Sequence, residues 1–381
     1  MNRKSQGLLS LVLLALIALP VAAQDTPIPA PPAINATAWI LMEAHTGFVL
    51  GEKNPSRHIE PASITKMMTA FAVFNELANG DISLTDMVQV SEKAWRTPGS
   101  RMFIEVNSQV SVEELLQGMI VQSGNDASVA LAEFVAGSEE TFAEMMNQYA
   151  VQLGMVDSSF RNSTGLPAKD HYTSPRDIAI LARALIERFP DYYRWYSQKE
   201  YTYNGITQRN RNALLWQDTT VDGIKTGHTE SAGYCLVSSA NRGPMRLISV
   251  VMGTPSSRAR SDASQAMLNY GFRFYETHEL YAAGQSVNDI RVWKGTRERA
   301  GLGVKQGLFI TIPRGRYDDL RAEIDLPPQI LAPLSTEQAI GEIRVSLDER
   351  LIAQQPLYPL DNIPLGGFFD RAIDEIKLWF D

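Results

Sequence analysis

The amino-acid sequence predicts an α+β protein: an antiparallel sheet with helices, then a small all-β domain and a C-terminal amphipathic helix. Three observations lead to this prediction. Between residues 39 and 284, stretches with helical spacing mix with strand-like runs. From 287 to 366, short alternating runs are separated by glycine and proline. The last residues, 367–381, divide into an apolar and a charged side when they are drawn as a helix.

Length and composition narrow the class of protein. The chain has 381 residues, of which 44% are apolar, and this is enough for two ordinary domains with buried cores. The net charge is −8, whereas a nucleic-acid-binding protein would show a basic patch. The single cysteine, Cys235, excludes an internal disulfide, and we expect it to be a packed strand residue. The histidines include no His-Glu-x-x-His pattern and no close pair, so we expect neither a metal site nor a cofactor.

Residues 1–23 have the features of a secretory signal peptide. A basic start, with Arg3 and Lys4, precedes an apolar run that ends in small residues up to Ala23. Cleavage there changes the net charge from −8 to −10, because Arg3 and Lys4 are lost. A retained membrane anchor is the alternative, although the apolar run is short for a membrane span. Export places the protein outside the cytosol, and a proline-rich linker, residues 24–38, follows the signal.

The catalytic-domain region, residues 39–284, is predicted to begin with two strands joined by a turn at His45-Thr46-Gly47. A buried helix follows in PASITKMMTAFAVF, residues 61–74, where the apolar side chains leave no solvent face. Further helices are predicted along the chain, one of them with Ser174 as its N-cap and Pro175 at its first position. The run VDGIKTGHTESAGYCLVSSANRGPMRLISVVMG is then typical of successive strands, and the last helix of the domain follows it.

The region 287–366, here called the β-domain, holds no cluster of candidate catalytic residues, so we expect a spacer or partner-binding role. The terminal segment 367–381 has its large side chains on one helical side: Phe368, Phe369, Ala372, Ile373, Ile376, Trp379 and Phe380. A helix docked on the β-domain is one interpretation. We favour an in-plane membrane anchor, because the segment is terminal, follows Gly-Gly and carries an interfacial Trp-Phe pair. With four acidic and two basic residues, the segment would be repelled by anionic lipid head groups, so its binding to a membrane would depend on insertion of the apolar side chains.

Ser63 and Lys66 are the first candidates for chemistry. They lie three residues apart, so their side chains share one side of a helix, and an amine there can take the proton of an attacking hydroxyl. A lysine at the start of a buried helix is costly unless it has a function. Burial and a second cation would lower its pKa, and the helix N-terminus offers backbone N–H groups to an oxyanion.

Two further motifs raise the specificity of this signal. Ser123-Gly124-Asn125 is predicted at a helix–helix junction, and Lys225-Thr226-Gly227 in a strand, with His228 next. Ser-x-x-Lys, Ser-x-Asn and Lys-Thr-Gly, in that order, form the set of penicillin-binding proteins and class A β-lactamases. Ser123 can relay a proton to a leaving amine, and Asn125 can hold both the lysine and a substrate amide. Lys225 and Thr226 can bind a terminal carboxylate, and Gly227 lets the substrate backbone lie close to the strand.

These motifs, with ASITKMMTA, VQSGNDAS, NSTGLP, YTYNGITQRNRN and VDGIKTGHTESAGYCLVSSA, make the chain resemble a protein family over essentially its whole length. The family is that of low-molecular-mass penicillin-binding proteins, serine-type D-alanyl-D-alanine carboxypeptidases of the peptidase S11 kind. The resemblance implies the penicillin-binding/β-lactamase-like fold. It also implies that Ser63 is the acylated nucleophile, Lys66 the base and Ser123 the proton relay.

The same resemblance implies further roles around the site. The oxyanion hole would consist of the backbone N–H groups of Ser63 and His228. Arg260 matches a position that helps to bind the terminal carboxylate, and Arg211 matches one that supports the site. The terminal helix is less basic than in comparable family members, which concerns the membrane prediction more than the chemistry.

The predicted function is removal of the terminal D-alanine from peptidoglycan stem pentapeptides through an acyl-enzyme on Ser63. β-Lactams would acylate the same serine, and the enzyme would lie on the periplasmic face of the inner membrane, held at the membrane surface by its terminal helix. A D,D-endopeptidase and a weak β-lactamase are alternatives, although no Glu-x-x-Leu-Asn stretch follows Asn125 to activate water. A non-catalytic wall-binding scaffold is the alternative outside enzymes.

Overall fold

A computed structural model describes residues 28–378 of the chain. The predicted signal peptide lies outside these residues, and residues 28–37 of the predicted linker have no regular secondary structure. The strands of the first part are β1 (Ala38–Glu43), β2 (Val49–Lys53), β3 (Met87–Gln89), β4 (Gln109–Ser111), β5 (Glu200–Tyr203), β6 (Ile206–Arg209), β7 (Val221–Thr229), β8 (Gly233–Arg242) and β9 (Met245–Thr254). Its helices are α1 (Lys66–Asn79), α2 (Glu92–Arg96), α3 (Val112–Val121), α4 (Asn125–Ala136), α5 (Glu139–Leu153), α6 (Pro175–Arg188), α7 (Pro190–Tyr193), α8 (Leu214–Gln217) and α9 (Ser257–Phe274), with 3-10 helices at Ala62–Thr65 and Arg194–Ser197.

The main sheet of the described chain has five antiparallel strands in the order β2-β1-β9-β8-β7. The register pairs Ile40 with Val250 and Thr226 with Leu236. β7 therefore lies at an edge of this sheet, where one side of its backbone has no strand partner. An edge strand can present backbone N–H groups to a cleft, and this one carries the Lys-Thr-Gly motif.

Helices cover both faces of the sheet. On one face α9 packs so closely that a Cβ on Gly271 would lie 2.5 Å from Leu247 Cδ1. On the other face α6 contacts β1 and β9, and the core there includes residues of α1, α3, α4 and α5. The predicted antiparallel sheet with helices is thereby confirmed.

The helix that carries the Ser-x-x-Lys motif is buried on every side. Residues Lys66 to Phe74 of α1 are at most 1% exposed, as the apolar run predicted. The α-helix begins at Lys66, whereas Ser63 lies in the preceding 3-10 helix, Ala62–Thr65. Residues three apart are eclipsed in a 3-10 helix, so Ser63 and Lys66 still face the same side.

Helix ends follow the capping rules. Ser174 Oγ accepts a hydrogen bond from the backbone N–H of Asp177 at 3.2 Å, and Pro175 is the first residue of α6, as expected. Ser111 forms a capping box with Glu114 at the start of α3. These local signals explain why the helices could be located from the sequence.

The C-terminal part is all-β, as predicted. Its strands are β10 (Tyr275–Tyr281), β11 (Ser286–Arg291), β12 (Arg299–Gly303), β13 (Leu308–Pro313), β14 (Arg321–Asp325), β15 (Gly341–Leu347) and β16 (Arg350–Pro359), with a 3-10 helix at Tyr317–Asp319. A five-stranded sheet has the order β11-β12-β16-β15-β14, and β10 pairs with β13. Strand pairing with the β-domain thus begins at Tyr275, ahead of the boundary expected near residue 284.

The terminal helix, α10 (Phe368–Leu378), contacts the β-domain through its polar side. Asp374 Oδ2 accepts a hydrogen bond from the backbone N–H of Lys294 at 2.7 Å, and the Lys294 ammonium pairs with Glu375. Its apolar side is exposed, with Phe368 at 73%, Phe369 at 79% and Ile376 at 64%. Trp379 and Phe380 lie outside the described residues. Between residues 28 and 378, no helix has the length and apolarity that a membrane span requires.

Candidate active site

The turn that carries Ser63 is held in a strained conformation by close packing. Ala62 has a φ of +49°, a region that favours glycine. Gly165, with a φ of +83°, packs against it, so that a Cβ there would lie 1.7 Å from the Ala62 carbonyl oxygen. Only glycine fits at position 165, and the resulting contact sets the position of the nucleophile turn.

Lys66 is buried beneath Ser63. Its Nζ donates to Asn125 Oδ1 and to the Thr164 carbonyl oxygen, both at 2.6 Å, and lies 3.3 Å from Ser63 Oγ. Burial, with the charge of Arg211, lowers the pKa of Lys66 to about 7, although Asp126 and Glu139 oppose the shift. A neutral amine has two N–H bonds and one lone pair. With both N–H bonds used, the lone pair is left for the Ser63 hydroxyl.

Ser123 and Lys225 form a second pair on the opposite side of the cleft. Ser123 lies between α3 and α4 with a φ of +69°, and its Oγ accepts a hydrogen bond from Lys225 Nζ at 2.9 Å. Burial and the charge of Lys66 hold the pKa of Lys225 well below its usual value, with smaller effects from Arg211 and Arg260. Two buried lysines with lowered pKa values, each beside a serine hydroxyl, form an arrangement typical of proton transfer.

The predicted site residues meet at one cavity of about 330 Å³. Of the residues proposed from the sequence, those that line it are Ser63, Ser123, Asn125, Arg211, Thr226, Gly227, His228 and Arg260. Lys66 and Lys225 lie below the cavity floor, at 1% and 3% exposure, and reach it through the two serine hydroxyls. The structure therefore brings together residues that lie on five separate chain segments.

The two arginines at the cavity differ in their surroundings. Arg260 is 7% exposed, and its Nη1 donates to the carbonyl oxygens of Gly227 at 3.1 Å and Cys235 at 3.4 Å. In a trans peptide the N–H points away from the C=O, so this bond turns the His228 N–H away from Arg260. Arg211 is exposed at the cavity wall. Besides its expected role in carboxylate binding, Arg260 therefore also orients the Gly227–His228 peptide.

Several residues of the site leave no recognisable signal in the sequence. Thr164 contributes a backbone carbonyl, which no side-chain pattern reveals, and Ser100 lines the cavity without belonging to a motif. His171 belongs to no metal-binding or catalytic pattern in the sequence. Its Nδ1 accepts from the Arg161 N–H at 3.1 Å, which leaves Nε2–H to donate to Thr65 Oγ1 at 2.9 Å. Burial lowers the pKa of His171 to about 4, so the neutral ring anchors the residue next to Lys66.

Comparison with known proteins agrees with this geometry. A family model described as D-alanyl-D-alanine carboxypeptidase matches residues 25–256, and one for the C-terminal domain of penicillin-binding protein 5 matches 275–364. The chain is 44% identical over 363 residues to the D-alanyl-D-alanine carboxypeptidase DacA of Escherichia coli K12, covering 93% of this chain and 90% of that protein.

Solved structures give the same result. Penicillin-binding protein 5 of Haemophilus influenzae matches with a TM-score of 0.81 and 42% identity, over 88% of this chain and 99% of that one. Penicillin-binding protein D2 of Listeria monocytogenes, in its ampicillin-bound form, matches with a TM-score of 0.59 and 28% identity, over 64% of this chain and 100% of that one.

Proposed function

The chain belongs to the D-alanyl-D-alanine carboxypeptidase family, peptidase S11, and on that premise we propose how its cleft performs the reaction. The enzyme is a serine-type D-Ala-D-Ala carboxypeptidase that removes the terminal D-alanine from peptidoglycan pentapeptides and is inhibited covalently by β-lactams.

Acylation begins with Ser63 and Lys66. The neutral Lys66 amine takes the hydroxyl proton as Ser63 Oγ attacks the carbonyl carbon of the penultimate D-alanine. At a pKa of about 7 roughly half of the amines are neutral at pH 7. At the ordinary lysine value the neutral fraction would be about one in 3,000. The negative charge that develops on the carbonyl oxygen is bound by the backbone N–H groups of Ser63 and His228.

Collapse of the tetrahedral intermediate breaks the bond to the terminal D-alanine. The leaving nitrogen takes a proton from the Ser123 hydroxyl, which lies 2.9 Å from Lys225 Nζ and is reprotonated through the lysines. Water then attacks the Ser63 ester and gives the proton back along the same groups. The shortened peptide leaves, and Ser63 is regenerated.

The carboxylate of the terminal D-alanine determines where the peptide ends. Thr226 offers a hydroxyl, and Arg211 and Arg260 add positive charge at the cavity wall. Lys225 adds its charge from beneath the floor in the state in which its amine is protonated. A Cβ on Gly227 would lie 3.0 Å from the Pro61 carbonyl oxygen. A side chain at this position would therefore push the strand away from the nucleophile turn. Asn125, which already binds Lys66, faces the cavity to hold the substrate amide.

One observation carries this assignment above all others. The side-chain nitrogens of Lys66 and Lys225 are buried, have lowered pKa values, and each contact the hydroxyl of a serine at the same cavity. A wall-binding scaffold has no use for such a costly arrangement. The endopeptidase and weak β-lactamase alternatives share the acyl-enzyme and differ only in the substrate or in the rate of hydrolysis.

The proposal is tested with a D-Ala-D-Ala pentapeptide and benzylpenicillin. We expect the purified protein to release free D-alanine and to gain the mass of benzylpenicillin on Ser63. The Ser63→Ala variant should do neither, because it lacks the nucleophile. Labelling that persists in Ser63→Ala would place the nucleophile elsewhere. Parallel assays with a cross-linked dimer and with penicillin turnover distinguish the carboxypeptidase from the endopeptidase and the β-lactamase.

Location and domain roles complete the proposal. The homologues are cell-wall enzymes, which is consistent with a periplasmic location. We propose that residues 39–284 form the catalytic domain, that the β-domain acts as a spacer, and that the terminal helix binds the membrane surface. The exposed Phe368 and Phe369 support membrane binding, as does the use of Asp374 and Glu375 for contact with Lys294. Membrane binding is tested by sedimentation with zwitterionic vesicles. We expect the wild-type protein to sediment with the vesicles and the Phe368→Ser/Phe369→Ser variant to remain in solution.

A further inference from the structure

Glu60, partly buried just ahead of the nucleophile turn, reaches the turn that joins β7 to β8. Its Oε2 accepts hydrogen bonds from the Ser231 hydroxyl and, at 3.5 Å, from the Thr229 hydroxyl. Within that turn, Thr229 Oγ1 accepts from the Ala232 N–H at 3.0 Å and lies 3.2 Å from Ser231 Oγ. Glu60 is thus bound to a turn that is also closed on itself, 171 positions away in the chain.

The ends of this contact lie beside the two proposed oxyanion donors. Glu60 lies three residues before Ser63, and Thr229 directly follows His228. The Ser63 N–H belongs to the 3-10 helix, and the His228 N–H belongs to the edge strand β7. No strand hydrogen bond joins these two segments in the described chain, since β7 pairs with β8 on its other side.

β7 is paired with β8 as far as Thr229 and Gly233, and the His228 ring stacks on Tyr234, but these contacts join β7 to β8 and not to the nucleophile turn. Arg260 binds the Gly227 carbonyl oxygen, and Gly227 itself packs against Pro61 and Ile64. After Gly227 the chain becomes exposed at His228, Glu230 and Ser231. The β7–β8 hairpin can shift as a unit relative to the nucleophile turn unless a contact beyond Gly227 ties the two together. Glu60 supplies that tie, and it does so from the segment that carries the nucleophile.

We propose that Glu60 is a positioning residue that sets the distance between the two oxyanion donors by tying the β7–β8 turn to the nucleophile turn. The inference rests on the proposed function, because this distance matters only if both N–H groups bind the same oxygen. Oxyanion donors are effective when they lie within about 2.7–3.1 Å of the oxygen, so a small displacement of His228 weakens one of them. A carboxylate that accepts hydrogen bonds from two hydroxyls is well suited to holding the β7–β8 turn, because its negative charge strengthens these bonds.

The test compares Glu60→Ala with Glu230→Ala under single-turnover conditions. Glu230 lies in the same turn and is exposed, so its variant removes the same charge without removing the tie. With benzylpenicillin in stopped-flow, we expect Glu60→Ala to lower the acylation rate constant about tenfold, with the dissociation constant of the first complex within about twofold. Glu230→Ala should leave both constants within about twofold of the wild type.

Two more variants separate positioning from general stability. Glu60→Gln keeps an acceptor oxygen and should recover acylation to within about threefold of the wild type, whereas an equal loss in Gln and Ala would overturn the proposal. Glu60→Ala/Ser231→Ala should acylate no more slowly than Glu60→Ala alone, because both changes remove the same contact. Losses that multiply in the double variant would overturn the tie.

The remaining outcomes are also decisive. A lowered Tm in Glu60→Ala with an unchanged acylation rate constant would assign Glu60 to stability alone and overturn the proposal. A wild-type protein that is acylated on Ser63, with every variant equally fast, would overturn the role of Glu60 and leave the proposed function intact. A wild-type protein that takes up no benzylpenicillin would overturn the proposed function itself.

Discussion

The cleft region and the β-domain bury different kinds of residues. Around the cleft, Lys66 and Asp126 are 1% exposed, Lys225 is 3% and Arg260 is 7%. In the described residues of the β-domain, no charged side chain is buried, and the core is aliphatic, with Leu302, Ile343, Val345 and Leu357 fully buried. The ion pairs of the β-domain lie at its surface, such as Arg299 with Asp289, and pairs of this kind contribute at most about 1 kcal/mol.

The difference shows where the chain sacrifices stability for chemistry. A buried charge raises the free energy of the folded state unless partners compensate it, so it persists where a reaction uses it. The backbone follows the same division. Ala62 and Ser123, with φ of +49° and +69°, flank the reactive groups. In the β-domain, by contrast, Asp348 and Glu349 take positive φ in the hairpin between β15 and β16, where such values are ordinary.

The largest test of this comparison exchanges lysine for arginine in each region. Lys66→Arg should lower the acylation rate by about 1,000-fold, because arginine stays charged and cannot accept the Ser63 proton. Lys294→Arg keeps the charge beside Glu375 in the β-domain and should leave acylation unchanged. Stopped-flow with benzylpenicillin measures both. Acylation of Lys66→Arg at the wild-type rate would mean that the base is another group.

A matched pair of glycines tests the backbone. Gly165 and Gly315 have nearly the same φ, +83° and +84°, but a Cβ meets the Ala62 carbonyl at 1.7 Å in one case and open space in the other. Gly315→Ala should lower the free energy of unfolding by about 1 kcal/mol and leave the acylation rate unchanged. Gly165→Ala should displace the nucleophile turn and lower acylation about a hundredfold.

Denaturant unfolding and stopped-flow acylation, measured on both glycine variants, give the comparison directly. Equal acylation by the two variants would show that the turn of Ser63 tolerates movement. The backbone at the cleft would then tolerate an added Cβ as well as the backbone of the β-domain does.

The smallest expected effect is the pH dependence of acylation. The pKa of about 7 for Lys66 lies below its ordinary value, so the neutral base accumulates as the pH rises. The second-order rate constant of acylation should rise about tenfold per pH unit below pH 7 and level off above it. Gly315→Ala, altered only in the β-domain, should give the same profile. A flat profile between pH 5 and pH 8 would contradict a base of this pKa.

Local patterns were sufficient for much of this protein. The capped helix at Ser174-Pro175, the buried run after Lys66 and the alternating strands of the β-domain followed from periodicity and capping. The Ser-x-x-Lys spacing also predicted that Ser63 and Lys66 share one side. That conclusion survived the change from an α-helix to a 3-10 helix, because residues three apart meet in both.

Other features depended on packing between distant segments. The Thr164 carbonyl that binds Lys66 lies 98 positions away, and a backbone carbonyl leaves no mark in the side-chain pattern. The contact of Asp374 with Lys294 shows that the polar side of α10 meets the β-domain, whereas the sequence left docking and membrane binding as separate alternatives. Strand β10 pairs with β13 although a periodic pattern carries no information about which strand is its neighbour.

By itself, the sequence determined which residue types carry the chemistry and how each lies on its own helix or strand, because side-chain periodicity encodes local geometry and burial. Only the tertiary structure decided that Lys66 and Lys225 each contact a serine at one cavity, that Arg260 orients the Gly227–His228 peptide, and that Glu60 reaches the β7–β8 turn. Such contacts join segments that are far apart in the chain, and their distances are set by how whole helices and sheets pack.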